Sequence, residues 1–203
     1  SLTTDRYDES NKAYNFSGNS KIVIGDKAEF EFGDGSSDSP FTVSAWINPN
    51  DITSRYRVIG KDQSSSNDEW FLEINRDDNG RLEFWAWDPS QPGNRFININ
   101  RTGIVTAGEW QHIAVTYDGT GGALAHEGLA LYHNGVSVGT GSRGTYLYME
   151  PTTSSVIIGQ AGNGNFTFNG KIDDVSVYST SLSTSQIQKL YVQGLPSYQL
   201  VQE

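Results

Sequence analysis

FTVSAWIN, residues 41–48, sets the fold class. Its side chains alternate, with Phe41, Val43, Ala45 and Ile47 on one face and Thr42, Ser44 and Trp46 on the other. That is the period of a β-strand buried on one side. To either side, similar short runs recur at Ile22–Ile24, Arg57–Lys61, Trp70–Ile74, Leu82–Trp87, Phe96–Ile99, Trp110–Tyr117, Leu129–His133, Val156–Gly159 and Ile172–Tyr178, separated by Gly, Asn, Asp, Ser or Pro. Strands at this spacing predict an all-β chain folded as two packed antiparallel sheets.

Turn chemistry agrees. Asn134-Gly135 joins LALYH to VSVG, and Asn-Gly readily takes the two positive φ angles of a type I′ hairpin. Asp78-Asn79-Gly80 reads the same way between the Trp70 and Leu82 runs. A short C-terminal helix is predicted after Ser183, because Ser183 and Gln186 have capping-box spacing, Ile187, Leu190 and Tyr191 share a face, and Gly194 can end it. Residues 1–195 therefore read as one domain and residues 196–203 as a tail or linker.

Composition narrows the class. In 203 residues, apolar types make up 35% and aromatics 12%, with Gly 22 and Met 1, a balance that favours strands and tight turns over amphipathic helices. Lys+Arg 14 against Asp+Glu 24 gives a formal net charge of -10, so the field repels phosphate backbones and anionic lipid, and no nucleic-acid partner is expected. Cysteine is absent, which excludes disulfides and thiolate metal sites. No apolar run approaches the roughly 18 residues of a membrane span, so no membrane insertion is expected. The opening SLTTDRYDES lacks a signal-peptide pattern, so the chain reads as an excised domain or a mature form.

SPFTVSAWINP at residues 39–49, GEWQHIAVTYDGT at 108–120 and FNGKIDDVSVYSTSLSTSQIQKLY at 168–191 stand in the order and spacing of a known family. Together with YNFSGNSKIVIGD from Tyr14 and LYHNGVSVGTG at 131–141, they resemble the laminin G-like jelly-roll family of the concanavalin A-like superfamily. The resemblance implies a two-sheet antiparallel jelly-roll sandwich with one flatter or concave face. Relatives use it as carbohydrate-binding, adhesion or receptor modules, which implies an extracellular or cell-surface location within a larger secreted chain. It also implies a structural calcium, held by a carboxylate of the last strand and carbonyls of an early loop. Here these would be Asp173 and the loop Phe32–Asp38, with Gly33 and Asp34 as ligands. Asp173 shares strand parity with Val175 and Val177, so an inward carboxylate there calls for a metal or dense hydrogen bonding.

The expected binding face lies in RLEFWAWD. If Leu82, Phe84 and Ala86 pack inward, Trp85 and Trp87 face outward, with indoles about 6–7 Å apart. Such a platform suits the C–H faces of sugar rings, while Asp88, Asn94 and Arg95 of the following loop could hydrogen-bond their hydroxyls. Trp70 could join from the adjoining strand, although Leu72 and Ile74 share its parity and argue for burial. The glycine-rich GTGGALAHEG, residues 119–128, could rim that surface. Its His126 and Glu127 read as a solvated pair, and the histidines lack zinc-ligand spacing.

Catalysis is disfavoured. Glu73, Asn75 and Asp78 approach the glucanase acid pattern but lack its middle acid, and Glu69 and Glu73 would lie about 13 Å apart on one strand, too far for paired acid and nucleophile work. No nucleophile elbow, phosphate loop or zinc-protease motif occurs. The sequence thus favours a glycan- or polysaccharide-binding module, with a protein or peptide receptor as the alternative and a polysaccharide lyase or glycoside hydrolase behind both.

Overall fold

A computed structural model describes residues 1–63, 67–75, 79–93 and 95–195. The first sheet runs, in spatial order, β1 (Leu2–Thr3), β2 (Ala13–Phe16), β14 (Gly170–Tyr178), β4 (Phe41–Pro49), β9 (Gln111–Tyr117), β10 (Leu129–His133) and β11 (Val136–Val138). The second runs β12 (Thr140–Arg143), β8 (Phe96–Arg101), β7 (Arg81–Trp87), β6 (Trp70–Asn75), β5 (Tyr56–Lys61), β13 (Val156–Ile158) and β3 (Ile22–Gly25). Every described strand pair is antiparallel. The chain is the predicted two-sheet jelly-roll sandwich.

The core lies between the sheets, where alternation placed it. Phe41, Val43, Ala45 and Ile47 of β4 and Leu82, Phe84 and Ala86 of β7 are fully buried, and the Phe41 and Phe84 rings meet across the interface at 5.6 Å. Both expected hairpins have positive backbone φ, at Asn134 (50°) and Gly135 (75°), and at Asn79 (51°) and Gly80 (78°); Asp78 lies outside the described residues. The short strands β1, β2 and β12 were not expected, because two to four residues are too few to display a period.

Two expectations fail on packing. Trp70, expected near the binding face, has no exposed surface. Its Nε1 donates to the Phe30 carbonyl at 3.0 Å and its ring lies 5.3 Å from Phe32. The parity it shares with Leu72 and Ile74 holds it in the core. Asp173 fails for a different reason. Ile172 stands opposite Ile47 and Asp173 opposite Trp46, but a bulge then shifts the register, so that Val177 stands opposite Val43. Asp174 sits in that bulge with φ 45°. The extra residue moves Asp173 to the outer face while the valines stay on the core side.

The helix α1 (Thr184–Gln193) starts at Ser183 with the complete capping box to Gln186. Buried Ile187 packs on Ala114 and Tyr132, and Tyr191 stacks on Trp46 at 5.7 Å and 21°. The helix therefore covers part of the outer face of the first sheet. The tail assigned to residues 196–203 lies outside the described residues.

Candidate binding face

Among the described residues, no helix lies over the outer face of the second sheet. Register puts Phe71 opposite Trp85, and Trp85 opposite Asn98; in the next rows, Trp87 stands opposite Phe96 and Glu73 opposite Glu83. Trp85 and Trp87 are half-buried, with ring centroids 5.8 Å apart and planes 15° from parallel. Phe96 flanks both, at 4.6 Å from Trp85 and 5.7 Å from Trp87, and Phe71 extends the row at 6.4 Å. Alternation along RLEFWAW produces this strip directly, since the inward set Leu82, Phe84 and Ala86 forces the indoles outward.

Beside the aromatics lies a buried charge cluster. Arg57 donates from Nη1 to Glu73 at 2.7 Å and from Nη2 to Asp62 at 3.0 Å, while its guanidinium stacks 3.4 Å over the Phe71 ring. Arg55 donates to the other Glu73 oxygen and lies 4.4 Å over Phe166. Arg81 pairs with Glu83 at 3.0 Å. Glu73 is fully buried and Glu83 1% exposed. Burial pushes the Glu73 carboxyl up to about 7, outweighing the pull of Arg57 and Arg55, and its hydrogen bond with Glu83 adds to the rise. Buried side-chain atoms lacking a hydrogen-bond partner, among the described residues, gather here: Arg55 Nε, Arg57 Nε, Asp62 Oδ1, Trp85 Nε1 and Trp87 Nε1. Four of these are N–H donors on one face, and an unpaired buried donor destabilises a fold until an acceptor reaches it.

Other residues expected at this site have different occupations. Asp88 is 2% exposed; it accepts from Ser90 Oγ at 2.9 Å and from the backbone N–H groups of Leu147 and Tyr148 at 2.9 and 3.2 Å. It pins two loops together. Arg95 donates to the Pro89 carbonyl at 2.6 Å, closing its own loop, and Asn94 lies outside the described residues. The 119–128 segment folds into a 3-10 turn over Gly122–Gly128 and packs on β12 and β8.

The residues assigned to calcium do not fit that role. Arg6 Nη1 holds Asp173 at 2.7 Å, whereas the Gly33 loop sits at the far end of β4, where Phe32 stacks on Phe41 at 4.2 Å. Five β4 positions separate Phe41 from Trp46, the partner of Asp173, so the sites are about 16 Å apart. Asp34 instead caps its own turn. It accepts from the Ser36 and Ser37 N–H groups at 2.8 and 2.7 Å, and the Ser36 hydroxyl and N–H lead in holding its carboxyl down at about 2. Gly33 forms an isolated bridge to Asp38. A carboxylate beside an uncounted arginine satisfies the inferred need for compensation without a metal.

The Glu73–Glu83 pair spans two strands, so spacing along either strand alone does not reveal it. The observed register, with Asn75 opposite Arg81, sets Glu73 opposite Glu83; a two-residue Asn79-Gly80 turn would have set Glu73 opposite Ala86 instead.

Fold and face together define a laminin G-like jelly roll. The chain belongs to the concanavalin A-like lectin/glucanases superfamily, whose family model matches residues 16–188. No curated protein matches it. Among solved structures it is similar to the binding domain of a Paraclostridial mosquitocidal protein (20% identity, TM-score 0.66, covering 94% of this chain and 45% of that one). It is also similar to the botulinum neurotoxin serotype G binding domain (16%, 0.65, 95% and 46%), and to the Ruminococcus gnavus IT-sialidase carbohydrate-binding module CBM40 bound to α2,3-sialyllactose (13%, 0.61, 88% and 97%). The chain thus spans about half the length of the toxin domains.

Proposed function

We propose that this chain is a non-catalytic module, working outside the cell, that binds carbohydrate on the outer face of β6, β7 and β8. The observation that carries the proposal is the half-buried Trp85–Trp87 pair, near-parallel at 5.8 Å and flanked by Phe96. A sugar ring packs its C–H face on such an aromatic surface. The similar fold of CBM40, which is described with a sialylated glycan, lends support.

A hydrolase reading has one observation behind it, the Glu73–Glu83 carboxyl pair. Retaining glycosidases hold their carboxyls about 5–5.5 Å apart to admit the scissile bond. Here the carboxyls hydrogen-bond each other, are buried, and are gripped by arginines. A substrate bond has no room between them, and their role is to brace the floor beside the platform.

The test is a glycan array followed by titration of the best hit. Trp85→Ala with Trp87→Ala should weaken binding about a hundredfold, since each stacking contact contributes more than about 1 kcal/mol. An array without hits, a pull-down that recovers protein but no glycan, or product release from polysaccharide that disappears in Glu73→Gln would each reject the proposal.

A further inference from the structure

On the opposite side of the sandwich, between α1 and the outer face of the first sheet, lies a cavity of about 340 Å³. That falls within the roughly 300–1,000 Å³ of small-molecule sites. Its floor consists of Ser44 on β4, His112 on β9, and Ser176 and Tyr178 on β14. Leu190 of α1 and Trp46 supply an apolar wall. The faces of Trp46 are taken by Tyr191 and by the Arg6 guanidinium, 4.8 Å from the ring centroid, so its edge is what remains for a ligand.

The charges at the rim are committed to one another. Arg6 donates to Asp173 at 2.7 Å, to Asp174 at 2.5 Å and to the Gly194 carbonyl at 2.5 Å. Two carboxylates against one guanidinium leave the rim with a negative excess, which disfavours an anion. The floor carries no formal charge of its own. Burial, followed by the field of Arg6, lowers the His112 imidazole to about 4, so near neutrality the ring is uncharged. His112 is 2% exposed, and its Nδ1 lacks a hydrogen-bond partner among the described residues. An unpaired buried nitrogen on a residue that lines the cavity gains a partner if a ligand hydroxyl reaches it.

From this geometry we infer that the cavity is a second binding site, for a neutral polyhydroxylated molecule of monosaccharide size. Serine and tyrosine hydroxyls and a neutral imidazole each offer donor and acceptor capacity, which matches a ligand whose own hydroxyls do both. The apolar wall suits the C–H edge of such a molecule. The site is independent of the Trp85 face and shares no residue with it.

The experiment uses the whole chain, with glucose, galactose and myo-inositol as neutral probes and glucuronate as the anionic control. Binding is followed by saturation-transfer NMR and by the imidazole nitrogen resonances of His112. A neutral probe should shift the His112 resonances, and glucuronate should bind about tenfold more weakly. Ser176→Phe, which fills the floor, should abolish the shift. Tyr178→Phe, which removes one hydroxyl and leaves the fold intact, should weaken binding about threefold to tenfold. Trp85→Ala with Trp87→Ala should leave this site unaffected, which separates its failure from failure of the glycan platform. The inference is overturned if no neutral probe shifts His112, if binding survives Ser176→Phe, or if glucuronate binds as tightly as glucose. Should Ser176→Phe fail to fold, the wild-type His112 shift and Tyr178→Phe decide the matter in the same way.

Discussion

Both sheets present tryptophan on their outer faces, yet the two faces have opposite fates. On the first sheet, Trp46 is 4% exposed because α1 lays Tyr191 across it and Arg6 closes the other side. On the second, Trp85 and Trp87 stack on each other with no helix above them among the described residues and are only half-buried. Strand parity is identical in the two cases. The difference is whether the chain supplies a cover, and large aromatics clustered without one are what the proposed binding face rests on.

Three substitutions press on this contrast, beyond the platform and cavity variants above. Trp46→Ala should have the largest effect, a loss of about 3–5 kcal/mol of stability read as a lower melting temperature, with glycan binding by the surviving fold unchanged. If Trp46→Ala reduced glycan affinity at temperatures where the chain is folded, the two faces would not be independent. Next comes Glu73→Gln. The folded-state carboxyl sits at about 7, above its ordinary value of 4.5, so its stabilising contribution is complete below about pH 4.5 and is lost as pH rises through about 7. Relative to wild type, Glu73→Gln should gain in melting temperature between pH 5 and pH 8 and show no such gain at pH 4. A difference independent of pH would mean that Glu73 is ionised throughout and simply salt-bridged. The smallest effect belongs to Ser183→Ala, which removes the capping box and costs about 1 kcal/mol. It should lower the melting temperature by about 2–4 °C and brighten or shift Trp46 fluorescence as α1 frays, again without changing affinity at the other face.

The elements legible in the sequence were those whose signals are local. Alternation in FTVSAWIN and RLEFWAW set the two core faces, Asn134-Gly135 gave its hairpin, and Ser183 with Gln186 gave the helix start. The outward position of Trp85 and Trp87 was legible for the same reason. What could not be read depends on non-local partners. The bulge at Asp174 breaks the parity of β14 without any glycine to announce it. The partner of Asp173 is Arg6, 167 positions away, and in its place the resemblance suggested a cation. Asp88 looked like a ligand contact because it follows the tryptophans, whereas Leu147 and Tyr148, distant in sequence, take up its carboxylate. Glu73 and Glu83 belong with these, since the register that pairs Asn75 with Arg81 is not the one a two-residue Asn79-Gly80 turn would impose.

The Arg6 clamp has a mechanical consequence. By joining Asp173 and the carbonyl of Gly194, Arg6 brings positions 188 residues apart to one spot on the outer face of the first sheet, over the central strand β4. A polypeptide entering near residue 6 and leaving near residue 194 therefore does so at nearly the same point. Tension from the side of residue 194 loads that junction first, in the manner of a pendant hung from a single knot, while tension from the other side must first part β1 from β2. The second sheet, and the Trp85 face with it, stays outside the line of force.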